Sequence, residues 1–401
     1  MVSDSRPIEG LDYGNLLIAM AAATVSPLVL DLLPLPTIPP IVIEILAGIV
    51  IGPEVLDLVE IDAPLEVFSQ IGLVFLFFLA GLEIVFRSSG ERHLGAVAAA
   101  FALSLVLALT VALGFEAGGI ADSPLLVAII LAATSFGIVV AVLKDAGRTA
   151  TPFGQLVIAA ASMADFATVI LLSLFFSSSG ASFENTLVLL VLFFALVIVL
   201  GFGLAGARAS GALRRAIARM HRTSAQISVR IAFLLLVVLV FFAGRFGLEV
   251  VLGAFLAGAM VSLLDRERAV TKTGLQEKLE GIGFGIFIPT FFVVSGVRLD
   301  LEALFSSFET MVLVPLTVIA LLLIRGVPVA LYRRFLSRRE MLAAGLLQAT
   351  SLSFIVPATQ IGVELGKIST ATAAGLVAGG VVTVLAFPLL ALRFMGERQA
   401  A

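Results

Sequence analysis

Apolar stretches of about 20 residues, each long enough to cross ~30 Å of hydrocarbon, recur along this chain from Asn15 to Phe394 with short polar breaks between them. Hydrocarbon offers a backbone no hydrogen-bonding partner, so such stretches fold as helices that satisfy their own amides. Of the 401 residues, 60% are hydrophobic and 13% charged, against roughly 25% charged in a soluble domain. The expected fold class is an all-α polytopic membrane protein. With no cysteine and two histidines, His93 and His221, disulfides, thiolate chemistry and Cys/His zinc clusters are excluded. No cofactor and no nucleic-acid partner is expected. The longest loop, about 207–226, is too short for a soluble domain, so any activity lies within the membrane and no enzyme module is expected.

Cutting at charges, Gly/Pro clusters and helix-start signals predicts thirteen spans: 14–33, 39–53, 66–86, 94–115, 123–144, 152–177, 185–206, 227–244, 248–264, 279–297, 309–332, 340–363 and 369–393. The segment before Leu16 is acidic and lacks the positive start of a secretory signal, so the first span is expected to be retained. Alternate loops differ sharply in Lys and Arg. One set holds Arg87, Arg92, Lys144, Arg148, the arginines from Arg208 to Arg222, Arg266, Arg268, Lys272, Lys278, Arg333, Arg334, Arg338, Arg339, Arg393 and Arg398. The other holds Arg6, Arg245, Arg298 and Lys367. By the positive-inside rule the basic set is cytoplasmic, which places the N-terminus outside, the C-terminus in the cytoplasm, and requires an odd number of spans. The expected location is the plasma membrane.

Two spans share a pattern. Ala133-Thr134-Ser135-Phe136-Gly137 lies in the fifth and Ala349-Thr350-Ser351-Leu352-Ser353-Phe354-Ile355-Val356-Pro357 in the twelfth. Seven spans apart, the two segments cross the membrane in opposite directions, as an inverted repeat of six spans, a linker span and six more requires. Small hydroxyl residues with Gly137 or Pro357 at mid-membrane suit an interrupted helix, tolerated where it lines a polar cavity. Paired interruptions in corresponding halves point to a transporter's binding site. The alternative is that Thr and Ser bond back to carbonyls of their own helices or join neighbouring helices.

Asp165 lies 13 residues after Pro152, or ~20 Å along a helix, close to the midplane. A carboxylate there costs several kcal/mol, and its natural compensation is a proton or a cation; the other reading is permanent pairing with a basic residue. Arg325 is the most deeply placed cation. It stands eight residues before Arg333, ~12 Å from the basic end of its span, where it can reach toward Asp165 or snorkel to headgroups. Arg230, near a helix start, reads as snorkelling. Glu83 has Arg87 at i+4, the favourable order for a helix-surface pair. Glu44, between Pro39-Pro40 and Gly48, has no local partner and reads as structural or as lining an entrance. The patterns from Gly253 to Gly258 and from Gly72 to Gly81 read as close helix packing.

These residues resemble the monovalent cation:proton antiporters of the Kef-type branch. The resemblance rests on Glu44-Ile45-Leu46-Ala47-Gly48-Ile49-Val50-Ile51-Gly52-Pro53, Phe78-Leu79-Ala80-Gly81-Leu82-Glu83, Leu252 to Gly258, and Phe291 to Gly296 followed by Asp300. It implies the sodium/proton antiporter fold, a 6+1+6 inverted repeat with two crossing discontinuous helices. It implies a homodimer in membrane lipid, with spans 1–3 of 14–115 and spans 8–10 of 227–297 in the dimerisation part and 185–206 as linker. Span 4, spans 5–6 (123–177) and spans 11–13 (309–393) would form the core. It further implies that Asp165, Thr134, Ser135, Thr350 and Ser351 bind cation and proton, with Arg325 as charge partner. Three departures stand out. Ala164 occupies a position that is Asp, Asn or Gln in relatives, Ser351-Leu352-Ser353-Phe354 replaces a Gly-Glu-Phe run, and the regulatory nucleotide-binding domain of Kef-type systems is not expected in a chain ending shortly after its last span.

The reading is a secondary antiporter that exchanges Na+ or K+ for H+ and carries no resident metal. Asp165 with hydroxyls and freed carbonyls supplies the oxygen donors that such cations prefer. Because Arg325 does not give up its proton and Ala164 is no carboxylate, the expected exchange is electroneutral, 1:1. Competing readings are a gated potassium-efflux channel, which needs a continuous multi-site pore, a sodium-coupled organic-anion symporter, which needs a larger polar cavity, and a non-transporting sensor.

Overall fold

A computed structural model of the chain describes residues 13–32, 40–83, 94–176, 183–209, 226–265, 272–305 and 308–395. Among the described residues all regular structure is helical. The elements are α1 (Gly14–Leu32), α2 (Pro40–Ile51), α3 (Ala63–Glu83), α4 (Leu94–Ala117), α5 (Pro124–Ala132), α6 (Phe136–Asp145), α7 (Pro152–Phe175) and α8 (Phe183–Ala209). They continue with α9 (Ile227–Arg245), α10 (Val250–Asp265), α11 (Lys272–Ile282), α12 (Ile288–Val297), α13 (Leu301–Phe305), α14 (Phe308–Leu321), α15 (Arg338–Ala349), α16 (Ile355–Glu364) and α17 (Thr370–Met395). Nine helical runs are long and apolar enough to cross a membrane, three shorter apolar helices join them, and the broken pair α15/α16 completes thirteen spans among the described residues.

Local chemistry sets the helix ends. Pro124 and Pro152 open α5 and α7, where a missing amide costs nothing, and the Thr151 hydroxyl accepts from the Gly154 amide at 3.1 Å. Ser337 and Glu340 form a reciprocal capping box at the start of α15. Glycines with positive φ follow α4, α6, α9 and α16: Gly119 (72°), Gly147 (66°), Gly247 (70°) and Gly366 (62°). After α6, the Arg148 amide bonds back to the Leu143 carbonyl at 2.8 Å, and after α9 the Leu248 amide to Ala243 at 2.9 Å, the reversal only a left-handed residue allows cheaply.

Two spans depart from α-geometry inside the membrane. Gly283–Phe287 links α11 to α12 as a π-turn, and Leu322–Gly326 is a second π-turn, followed by a 3-10 turn over Val327–Tyr332. One cause serves both. Pro289 and Pro328 lack the amide that would bond to Gly285 and Ile324, four residues earlier, and each ring crowds that carbonyl, so the preceding turn widens. The run Gly283-Phe284-Gly285 therefore lies inside a helical stretch.

The chain divides into two compact units, residues 1–76 with 280–300 and residues 77–279 with 301–401. In the first, Leu16, Val59, Leu65, Val293 and Val297 form a buried core. A Cβ at Gly48 or Gly296 would collide with the carbonyl of Val293 or Ile45, so α2 and α12 touch backbone to backbone. Arg298 pairs with Glu66 there. Glu44 is buried in this unit. In the second unit, Cβ atoms at Gly81 and Gly258 would strike the carbonyls of Phe255 and Phe78, the close packing expected of these small residues. Val97, Leu143, Phe153, Leu156, Tyr332, Leu336, Leu347 and Met395 share a core in this unit. Both interrupted spans, Asp165 and Arg325 belong to it.

Candidate functional site

The fifth span stops as a helix at Ala132 and resumes at Phe136, and the twelfth stops at Ala349 and resumes at Ile355. At the breaks the backbone leaves helix geometry: Ala133 (φ −72°, ψ 162°) and Thr350 (−73°, 109°) are extended, and Ser135 stands at −77° and 87°. The two interruptions cross and bond to each other. The Ser135 amide donates to the Thr350 carbonyl at 2.9 Å. The Ser135 hydroxyl accepts from the amides of Leu352 at 2.7 Å and Ser353 at 3.0 Å. The Thr134 hydroxyl donates to the Gln348 carbonyl at 2.8 Å. Amides that helix geometry would have used locally are thus satisfied across the crossing, which is how an unwound segment survives at membrane depth. Gly137 and Pro357 lie just after the interruptions, in the first turns of α6 and α16.

Arg325 sits on the π-turn and is 2% exposed. Its Nε donates to the Thr134 hydroxyl at 2.9 Å, one terminal nitrogen to the Ser104 hydroxyl at 3.1 Å and the other to Gln348 Oε1 at 3.4 Å. The guanidinium carbon stands 5.9 Å from the centre of the Phe101 ring. The Tyr332 phenol also meets the Gln348 side chain. Arg325 therefore does not snorkel; neutral oxygens of α4, the first interruption and α15 hold it. A buried cation costs several kcal/mol unless its donors are matched, so this cage fixes both the charge and the geometry of the crossing.

Asp165 is half-buried near the middle of α7, which packs on α5, α6 and α15. It lies within electrostatic reach of the Arg325 guanidinium. One turn on, the Thr168 hydroxyl donates to the Ala164 carbonyl at 2.8 Å and the Asp165 carbonyl at 3.1 Å. Ala164 is fully buried. The four hydroxyls of the Thr-Ser pairs differ: Thr134 and Ser135 are engaged across the crossing, and Thr350 donates to the Leu346 carbonyl of its own helix at 3.0 Å. The Ser351 Oγ is buried and makes no hydrogen bond among the described residues, while its amide is held by the Thr383 hydroxyl at 3.3 Å.

Of the other charged positions, Arg230 is exposed near the start of α9 and Glu44 lies in the other unit. Glu83 ends α3, and its side chain and Arg87 lie outside the described residues. Ser104, Gln348, Phe101 and Thr383 escaped the sequence reading. A glutamine one residue before Ala349-Thr350-Ser351 in an apolar span was a usable signal, as was Pro328 for the widened turn; Ser104 offers none.

The family profile described as "Sodium/hydrogen exchanger, transmembrane" matches residues 20–392. The chain belongs to this family. Its members are transporters, not enzymes. The Bacillus subtilis protein YjbQ is 34% identical over 390 residues, 94% of this chain and 62% of its own; the chain thus spans about three fifths of that relative. A Na(+)/H(+) antiporter of Enterococcus hirae is 30% identical over 363 residues, covering 88% of this chain and 91% of its own. Among solved structures, that of a sodium proton antiporter from Methanocaldococcus jannaschii matches with a TM-score of 0.67 at 19% identity, covering 96% of this chain and 98% of the other. This exchanger-family chain accordingly has the sodium/proton antiporter fold, and the resemblance read from its motifs holds at the level of the family.

Proposed function

We propose that this exchanger-family chain is a secondary antiporter that moves Na+ or K+ against H+ by alternating access, in the plasma membrane, as a homodimer with its N-terminus outside and its C-terminus in the cytoplasm. The observation that carries the reading is a mid-helix carboxylate, Asp165, within electrostatic reach of a caged guanidinium and borne by α7, a helix that packs on both crossing spans. In the outward or inward state Asp165 holds either a proton or a cation, and the arrival of one expels the other. The Ser351 hydroxyl, which bonds to nothing else among the described residues, and carbonyls freed by the interruptions complete an oxygen set suited to an alkali cation. Thr134, Ser135 and Thr350 act by holding those oxygens in place.

Stoichiometry follows from the basic residue. Guanidinium stays protonated at physiological pH, and each of its three nitrogens here donates to a neutral oxygen, of Thr134, Ser104 or Gln348. Ala164 adds no second carboxylate beside Asp165. One H+ against one cation leaves charge balanced, so exchange is electroneutral. Asp165→Asn in proteoliposomes is expected to insert and fold yet lose cation-driven proton flux; near-normal flux in that variant would exclude Asp165 as the shared site. Shifting of the null-flux point by an imposed potassium-valinomycin potential would reject 1:1 exchange.

A further inference from the structure

Between the 3-10 turn and α15, four arginines occur within seven residues: Arg333, Arg334, Arg338 and Arg339. All four are exposed, and among the described residues none of their side chains is in a hydrogen bond or an ion pair. The nearby carboxylate, Glu340, is spent on the Ser337 amide at 2.9 Å and hydroxyl at 2.8 Å. Arg338 and Arg339 are also the first two residues of α15, where the helix dipole is already positive and disfavours cations. Tyr332 and Leu336 anchor the loop in a core shared with Leu143, Ala391 and Met395, beside helix ends that carry the exposed Lys144 and Arg393. Positive charge is concentrated here, and among the described residues no carboxylate is paired with these arginines.

Beneath the arginines the span presents Ile319, Leu323, Val327, Leu331 and Phe335, exposed at every fourth position. An apolar strip that ends in a ring of guanidinium forks has the shape of a phospholipid: acyl chain below, phosphate above. Arginine, unlike lysine, matches phosphate oxygens two at a time. Basic pockets beside helix ends on the cytoplasmic side bind such headgroups.

We propose that residues 333–339 form a binding site for an anionic phospholipid, whose acyl chain lies along the strip from Ile319 to Phe335. The site reaches the ion-binding region through the chain itself. One end of the loop continues into the turns that carry Tyr332 and Arg325, the other into α15, which carries Gln348, and the Arg325–Gln348 bond closes the circuit. A seated headgroup bridges the arginines before and after Leu336 and so fixes the separation of these two elements, which raises the exchange rate.

Native mass spectrometry of the purified full chain, titrated with phosphatidylglycerol or phosphatidylcholine, tests the site. The wild type is expected to retain phosphatidylglycerol in preference. R338Q/R339Q should cut that preference roughly 25-fold, about fivefold per arginine, R333Q/R334Q/R338Q/R339Q should abolish it, and R338K/R339K should restore part of it. Equal retention by the quadruple variant overturns the proposal. Displacement of the lipid by inorganic phosphate at comparable concentration overturns the lipid and leaves a free-anion site. Exchange in phosphatidylcholine vesicles should be the same for wild type and quadruple variant, with stimulation by phosphatidylglycerol in the wild type alone; stimulation of both refutes the coupling. The transport arm rests on the antiport reading, whereas the binding arm does not, so the two failures are distinguishable.

Discussion

Ser135 and Ser351 occupy the same place in the two halves of the repeat, each following an Ala-Thr pair where a span unwinds, yet their hydroxyls have opposite fates. Ser135 accepts two amides from the facing interruption, while Ser351 has its amide held by Thr383 and its hydroxyl unengaged. Their threonine neighbours repeat the contrast: Thr134 bridges Arg325 and Gln348, and Thr350 bonds within its own helix. The first interruption is a strut that carries the crossing, and the second leaves a buried hydroxyl unengaged among the described residues. Sequence symmetry thus places two equivalent segments, and the asymmetry of their surroundings divides the labour.

The largest effect that would sharpen this division is on stability. Ser135→Ala leaves the Leu352 and Ser353 amides without an acceptor and should cost about 2–5 kcal/mol, measured as thermal or denaturant unfolding in detergent; a variant as stable as the wild type would break the strut assignment. Ser351→Ala should leave stability unchanged, because its hydroxyl has no partner to lose. It should raise the cation concentration for half-maximal exchange about 5- to 30-fold, the loss of one oxygen ligand worth ~1–2 kcal/mol. If instead Ser351→Ala destabilises and leaves that concentration alone, the two roles are reversed.

The second half-helix also ends beside a titrating group. Glu249, in the turn before α10, is pushed up from 4.5 to about 7, first by burial and then by Glu364 at the end of α16. A folded-state value above the unfolded one means that stabilisation is present below about 4.5 and is lost as pH rises through about 7. Glu249→Gln removes that loss, so its melting temperature relative to the wild type should climb between those pH values; parallel curves would sever Glu249 from the second half-helix. The smallest effect belongs to Gly137. A Cβ there meets nothing within 4 Å, so Gly137→Ala should be neutral or stabilise by about 0.5–1 kcal/mol, whereas a marked loss of stability would mean that the glycine, and not the crossing, holds the first interruption open.

Much of this architecture was legible before any coordinates, and for one reason: membrane insertion penalises each residue by where it stands in its own span. Thirteen apolar runs, sorted charge, Asp165 at mid-span and two paired Ala-Thr-Ser interruptions are all local statements. Of the features read as suiting an interrupted helix, the Thr134 and Ser135 hydroxyls hold the crossing, while Gly137 and Pro357 lie just after the interruptions. The prolines that do reshape a helix are Pro289 and Pro328, each widening the turn four residues before it.

Which oxygens are spent and which are left over was decided only by the tertiary structure. Thr134 meets Gln348 across 214 residues of chain, Ser135 meets Leu352 across 217, and Arg325 meets Ser104 across 221. No local pattern distinguishes Ser135 from Ser351, or singles out Ser104 among the serines of apolar spans. The sequence by itself determined the number of crossings, their alternating charge and the types of residue at the centre. Which hydroxyl is engaged and which is left over waited on the fold, because a hydrogen bond is satisfied by whatever the chain brings within about 3 Å, and here the partners come from opposite halves of the repeat.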